Sequence, residues 1–590
     1  MHTYIIFCLV PLALCVSHIA NAEWRVGDFG AKGDGKTDDT AAFQQALDAA
    51  GAAGGGVVEA PAGTFRINGT LSIPAGVTLQ GTFRTPPNSH YGKGPELVGT
   101  VLHAYAGRGA REGAPFIRLA GSTATLAGVT VAYPEWKQSD VPPIPYPPAV
   151  AGEHVENVAV IDCCIINAYE ALYFKNAARM IIRNIFGYPS MRGLYIDACY
   201  DISRVENCHF WPFGVMYKPD DPYCLWVNEN GVAFEFARTD WQYVTHTFCF
   251  GYGAGYKFSK SENGACNGSF VGIGADCCSR AVLVEDLQEW GLLITNGEFV
   301  GRWGSKDSVC IEVAPEAGVG KVSLNNCAFW GPIDRCIWHR SPKTQFTAIG
   351  TNFCNWDILL AGSPAVQLDA GKAIFQGNTF ADGDLHIEIG PDVASAIITG
   401  NQAAGGLVCD NRAGKRAQLA LNEESPVTWP RGSLRHYAIR IGTEGDRRYA
   451  REWYGPEKAG EWPDGAGTKR WSGVKSVLRL PVEPGRKYTI TLEVFVPPLA
   501  VAPENGLYLG DTPIIRIPEE EGPMILTGKL PATEADEVVL ELRAKGWRPK
   551  EGFEETIYAR TLGVAVRSVT MKTKGAPKAV YDANTGEWRD

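Results

Sequence analysis

The chain has 590 residues, 45% of them apolar, and a formal charge of −10. That length predicts more than one domain, each able to bury a core of its own. The acidic balance excludes a protein built to hold nucleic acid, whose phosphates demand a basic surface, although an acidic glycan would need only a local cluster of Arg and Lys.

Residues 1–22 read as a secretory signal: an apolar run over 4–16 ends in Ala20-Asn21-Ala22, an A-x-A cleavage pattern, although no Lys or Arg precedes the run. Export to the periplasm or medium, with cleavage after Ala22, is the expectation. No later segment is long and apolar enough to span a membrane. Residues 30–37 match G-x-x-x-x-G-K-T. A nucleotide-binding loop needs a β-α-β sheet around it, and the chain that follows is not a series of such units. Neither a nucleotide nor nucleic acid is therefore expected as a partner. Thr37 or Asp38 is instead expected to cap a helix that turns Ala42, Phe43, Ala46 and Leu47 toward a core.

The sixteen cysteines are unevenly placed, and all beyond Cys15 lie between Cys163 and Cys409. Their spacing matches no paired C-x-x-C metal pattern. Cys163-Cys164 and Cys277-Cys278 are candidates for vicinal disulfides, against the plainer reading of small apolar side chains buried on strands. In the same region the sequence repeats: Asn207-Cys208-His209-Phe210, Asn267-Gly268-Ser269-Phe270, Asn296-Gly297-Glu298-Phe299 and Asn326-Cys327-Ala328-Phe329 share the form N-x-x-F. A short period with several strands per unit predicts stacked β-coils, Phe inside and Asn lining a turn.

The opening region resembles the pectate lyase superfamily, of the polygalacturonase and rhamnogalacturonase type. The resemblance rests on Phe29-Gly30-Ala31-Lys32-Gly33-Asp34-Gly35, Thr37-Asp38-Asp39-Thr40, Gly54-Gly55-Gly56-Val57-Val58 and Pro61-Ala62-Gly63-Thr64-Phe65. It implies an all-β fold, a right-handed parallel β-helix over residues 23–424, whose open end the predicted helix caps. Asp34, Asp38 and Asp39 are then turn and cap residues. The superfamily contains several chemistries, and fold does not choose among them. The N-T-D, G-H-G and R-I-K motifs of polygalacturonases and the Y-G-F-D-P-H element of alginate epimerases are absent, so no catalytic residue carries over.

Strand alternation supplies the candidate site. Aligning Leu172-Tyr173-Phe174-Lys175, Leu194-Tyr195-Ile196-Asp197, Val232-Ala233-Phe234-Glu235, Tyr256-Lys257-Phe258-Ser259, Val282-Leu283-Val284-Glu285 and Val309-Cys310-Ile311-Glu312 turns the first and third residues inward. The fourth then forms an outer column of Lys175, Asp197, Glu235, Ser259, Glu285 and Glu312. At one coil Asp197 and Glu235 would be about 5 Å apart, and Glu235 and Glu285 about 10 Å. The first spacing suits a retaining glycosidase pair and the second slightly exceeds an inverting one. Mutual repulsion in such a ladder raises at least one pKa, as a general acid requires.

Asp197, Glu235 and Glu285, with Asp240 in reserve, are the predicted catalytic acids. Tyr173, Tyr195, Lys175, Lys257 and Trp211 are the predicted sugar contacts. Trp211 opens an aromatic insertion, residues 211–226, that is expected to wall the groove, and a Pro-rich insertion, residues 133–148, is expected to cover the same face. His209, Glu298 and His246 are weaker candidates on another face.

Residues 425–590 alternate at period two between Pro- and Gly-rich turns and predict a β-sandwich of the jelly-roll kind, with Trp453, Tyr454, Trp462 and Trp471 either a sugar platform or core. The whole suggests an exported carbohydrate-active enzyme with a polysaccharide substrate. Glycoside hydrolysis comes first and needs no cofactor. A polysaccharide lyase is the alternative, for which Lys175, Arg192 and Lys257 are available and calcium is a possible cofactor. A non-catalytic glycan binder is the third reading.

Overall fold

A computed structural model describes residues 24–87, 97–302, 308–331, 333–381, 383–403, 405–424, 429–443, 445–549 and 560–590. The signal segment lies outside them. Residues 24–420 wind into a right-handed parallel β-helix in which each coil contributes to three parallel sheets. The first sheet contains Arg204–Glu206, Thr239–Thr245, Cys266–Val271 and Leu292–Thr295. The second contains His209–Phe210, Phe248–Phe250, Gly274–Cys278 and Glu298–Gly301. The third contains Glu170–Ala178, Arg192–Asp197, Val232–Phe236, Ala254–Phe258, Arg280–Val284, Val309–Val313 and Arg335–His339. Among the described residues no helix is long and apolar enough to cross a membrane.

The G-x-x-x-x-G-K-T segment is part of the N-terminal cap. Asp34 accepts hydrogen bonds from the backbone N–H groups of Lys36 and Thr37, each at 2.8 Å, and those bonds hold its pKa down at about 2. These donors are therefore already engaged and do not cradle a phosphate. Helix α1, Thr40–Ala52, buries Ala42, Phe43, Ala46, Leu47 and Ala50 as the spacing predicts. Asp39 stands at the N-cap position, but its carboxylate turns back to accept from Lys32 N–H at 2.7 Å and Gly33 N–H at 3.1 Å, and it is Asp38, one of the two predicted caps, that accepts from the first helical N–H, that of Thr40, at 3.1 Å.

Between the first and second sheets the chain turns on single residues in the left-handed region, among them Asn207, Asn296 and Asn326. An Asn pays less than most residues for that conformation, and here the side chains also pair along the stack, Asn326 donating to Asn296 at 2.8 Å. Three residues on, Phe210, Phe299 and Phe329 point inward. Phe329, Phe353 and Phe380 form a stack with centroids 5.0 and 4.6 Å apart. Asn267 does not belong to this series. It stands at the entry to the first sheet, where Phe270 is buried, and the turn that follows Asn207 one coil later is His246. The described cysteines are free thiols, most of them buried in the strands, so neither vicinal pair is a disulfide.

The third sheet has an irregularity that governs everything outside it. Each strand opens with one outward residue and then two inward ones. The second position holds Ala171, Gly193, Ala233, Gly255, Ala281, Cys310 and Cys336, where only a small side chain fits. A Cβ on Gly193 would lie 2.4 Å from the Ala233 carbonyl and 2.5 Å from the Phe210 ring.

The C-terminal residues form an eleven-stranded, mainly antiparallel sheet folded over its own core of Tyr437, Leu478, Ile490, Leu540 and Val569. Trp453, Tyr454, Trp462 and Trp471 are all buried, so they are core and present no sugar platform. Asp384 fastens this unit to the coils, accepting from Glu452 N–H at 2.6 Å and facing Arg447 at 3.4 Å, while its own carbonyl accepts from Arg451 at 2.7 Å.

Two stability effects follow. Gly193→Ala is expected to destabilise the coils by about 1–3 kcal/mol through overpacking, and an unshifted urea midpoint would show that the corner has slack. Asp384→Ala removes the carboxylate that joins Glu452 N–H and Arg447 to the coils and is expected to split one calorimetric transition into two, whereas a single unchanged peak would show that Asp384 does not hold the units together.

Candidate functional site

The double inward step fixes which side chains share the outer face of the third sheet. Tyr173, Tyr195, Glu235, Lys257, Leu283, Glu312 and Trp338 are partners from coil to coil. Lys175, Asp197, Ser259 and Glu285 belong to a parallel column two residues further along. The predicted single acid column is therefore split: Glu235 and Glu312 stand with the tyrosines and Lys257, not with Asp197.

Asp197 is buried and fully bonded. It accepts from Ala198 N–H at 2.8 Å, Arg238 N–H at 3.2 Å, the Ser261 hydroxyl at 2.7 Å and the Asn263 amide at 3.1 Å. Such a carboxylate braces a turn and does not face a substrate, so the predicted Asp197–Glu235 pair is not assembled. Glu285 pairs with Lys257 at 3.0 Å, and Lys175 with Glu262 at 2.9 Å. Asp240 lies past the strand, where the chain passes to the first sheet, bonded to Arg238 at 2.9 Å and Gln288 at 2.8 Å. Trp211 packs on the outer face of the second sheet against Phe250, centroids 4.7 Å apart, and does not reach the groove. His209 lies on that same face among Trp211, Phe213 and Phe248.

Tyr173, Tyr195, Glu235 and Lys257 are brought together. Tyr173 and Tyr195 stack at 5.3 Å. Beside them stand three residues that the alternation pattern did not place at the centre. Glu170, 5% exposed, accepts from Arg111 at 2.7 Å and from Arg192 at 3.1 Å. Arg192 also donates to Glu235 at 3.0 Å and lies over the Tyr195 ring at 4.4 Å. Burial works against the Arg192 charge, but Glu170 and Glu235 outweigh it and its pKa is raised. Burial, then the charges of Asp197 and Glu235, push the Tyr195 phenol well above the ordinary tyrosine value. It therefore stays protonated through the neutral range. Arg192 was legible only as a charged residue before the small residue of its strand, a position shared by Glu170, Arg280 and Arg335.

Arg111, Glu153, Glu170, Tyr173 and Arg192 line a groove of about 390 Å³. Its wall is built at one corner, where three long connections from the second sheet to the third meet: residues 105–116, 133–149 and 211–231. Gly109 N–H donates to the Pro145 carbonyl at 2.8 Å, Gln138 to the Met216 carbonyl at 2.8 Å, and the Trp136 indole to the Tyr223 hydroxyl at 3.1 Å. The Pro-rich insertion thus flanks the sheet and leaves its face open. Farther along the same face Glu312 lies between Arg280 at 2.5 Å and Arg340 at 3.0 Å, and Arg340 lies over Trp338 at 4.3 Å. Among the described residues no three metal-ligating side chains converge.

Residues 24–103 match the family profile described as rhamnogalacturonase A/epimerase, pectate lyase-like. Alginate lyase 7 of Azotobacter vinelandii is 64% identical over 47 residues, 8% of this chain and 6% of that protein. Mannuronan C5-epimerase AlgE4 of the same organism is 36% identical over 115 residues, 18% of this chain and 21% of that one. The chain thus spans well under two thirds of these relatives' length. Among solved structures, the AlgE6 A-module of A. vinelandii is 15% identical with a TM-score of 0.42, over 65% of this chain and 99% of that one. An exopolygalacturonase from Thermotoga maritima is 14% identical with a TM-score of 0.33, over 66% and 91%. The matched segment, pectate lyase-like by that profile, forms the cap and first coils, and stacked parallel coils continue it, so the chain is a right-handed parallel β-helix protein with a pectate lyase-like N-terminal segment.

Proposed function

We propose that the protein is a carbohydrate-active enzyme that cleaves a polysaccharide laid along the outer face of the third sheet, with Glu235 as base, Tyr195 as proton donor and Arg192 holding charge between them. The observation that carries this is the register: Tyr195 and Glu235 are direct partners on neighbouring coils, about 4.8 Å apart along the stack. A carboxylate and a protonated phenol side by side form an acid/base pair.

This set suits elimination better than hydrolysis. Glu235 takes the proton beside a uronate carboxylate, and the electron pair forms a carbon–carbon double bond as the glycosidic C–O bond breaks. Tyr195 protonates the departing oxygen, and the guanidinium groups of Arg111 and Arg192 face the charge that develops. Hydrolysis needs two carboxylates across one bond, and the predicted partners of Glu235 are engaged elsewhere: Asp197 is buried and bonded, and Glu285 is paired with Lys257. The names of the two curated relatives, alginate lyase and mannuronan C5-epimerase, agree with uronate chemistry, but the stretch of 47 residues shared with the first amounts to only 8% of this chain. Export of the chain ahead of the cap belongs to the same proposal, since polymeric substrates meet their enzymes outside the cell membrane.

Incubation with a panel of polysaccharides, following reducing ends and the absorbance of unsaturated uronates together, tests the reading. Both signals are expected on a uronate polymer. Reducing ends without absorbance would replace elimination by hydrolysis, and retention of a glycan with neither signal would make the protein a binder. Glu235→Gln and Tyr195→Phe are each expected to lower kcat about 10²-fold or more, with the unfolding midpoint kept. Because the phenol works in its protonated form and its pKa is raised, no loss of rate from its ionisation is expected up to about pH 10. An alkaline limb near neutrality that disappears in Tyr195→Phe would overturn its role.

A further inference from the structure

The ridge where third-sheet strands pass to the first sheet shows a second arrangement, on the far side of the third sheet from the groove wall. Three large rings stand out along it: Tyr200 is 55% exposed, Trp241 48% and Trp290 59%. Their order follows the coils. Cys199 bridges Thr239, so Tyr200 precedes Trp241 by one coil, while Thr239 pairs with Cys266 and Gly268 with Leu292, so Trp290 follows by two. Two coil rises are about 10 Å, close to the repeat of a linked disaccharide.

Trp241 has φ of 49°. A bulky residue in the left-handed region is an outlier that sterics disfavour, and here burial does not repay it, because the ring is half exposed. The conformation is held by Trp241 N–H donating to Asn267 at 3.0 Å. Beneath the rings runs a polar ladder. Asn267 donates to Gln288 at 2.8 Å, and Gln288 donates to Asp240 at 2.8 Å. Arg238 is paired with Asp240, and Glu289 is exposed beside Trp290. Asn267 is buried with both amide atoms engaged, and Gln288 also donates to the Thr239 and Ala265 carbonyls, so the amides brace the ridge and leave the part-exposed Asp240 and the exposed Glu289 as its outward acceptors, with the Arg238 cation already matched by an anion.

We infer that this ridge is a second glycan site, which takes an uncharged polysaccharide by stacking successive sugar faces on Trp241 and Trp290 while the carboxylates of Asp240 and Glu289 accept from ring hydroxyls. Aromatic faces stack on the apolar faces of sugar rings and keep a wet edge. The exposed Glu289 and a single arginine already paired with Asp240 disfavour a polyanion. The rings are set singly among polar residues instead of forming the contiguous apolar patch that a second copy of the chain would cover. The inference does not depend on the chemistry proposed for the groove.

The full chain would be run in native gels containing hydroxyethylcellulose, arabinoxylan, glucomannan or, as the anionic control, polygalacturonate. Retardation by at least one neutral polymer is expected, with apparent affinity falling at least tenfold in the Trp241→Ala/Trp290→Ala double variant and unchanged in Glu235→Gln. Should the double variant unfold, Trp290→Ala alone and Glu289→Ala serve instead, since neither holds the backbone at residue 241. Equal retardation of wild type and ridge variants would overturn the inference. So would retardation by polygalacturonate alone, by no gel at all, or a sedimentation dimer that the ridge variants dissociate.

Discussion

The outer face of this protein is set by a packing constraint inside it. At the start of each third-sheet strand two successive side chains must enter the core, and the first of them meets the second sheet at close range. Only Gly, Ala or Cys fits there, as the crowding around Gly193 makes plain. The step shifts the alternation by one residue, so that the charged residue before the small one and the residue three places after it face outward together. Without that step Arg192 and Glu235 would not share a face, and the guanidinium could not lie over Tyr195.

Once the register is fixed, electrostatics decides what each acid can do. Asp197 is surrounded by donors from its own turn and from a later one, which makes it a brace. Glu170 and Glu235 are bound to one guanidinium from opposite sides. Charges so largely removed from water must be paired closely to be tolerated. Beside them stands the Tyr195 phenol, which burial and the charges of Asp197 and Glu235 keep protonated. This division of labour comes from burial and neighbours, since Glu285, in the same column as Asp197, is more exposed and pairs with Lys257.

Much of this was legible in the sequence. The cap helix, the left-handed Asn turns and the stacked Phe residues each have a local signature, and the structure contains all three. The site was half legible. Tyr173, Tyr195, Glu235 and Lys257 were found by period-two alternation, and they do face outward, but the columns were misjoined. The error has a definite origin: the strands containing Glu235 and Glu312 open on Val232 and Val309, apolar residues at an outward position, and alternation alone reads them as core. The small residues Ala233 and Cys310 carried the correct register. Asn267 misled in a similar way, because N-x-x-F recurs by chance on a different sheet. The role of Arg111 was not legible at all, since a loop brings it to Glu170 across 59 positions of sequence.

The placement of the long connections bears on how such a molecule can diverge. At the corner between first and second sheets the turns are single left-handed residues tied to their neighbours above and below, and an inserted residue there would break the stack. At the corner between second and third sheets, by contrast, three insertions of different length have been absorbed without disturbing the coil register. Selection can therefore lengthen, shorten or recompose the wall of the groove while leaving its floor untouched. The shape of the groove wall and the side chains of its floor are inherited as separable characters, carried by different edges of the same coil.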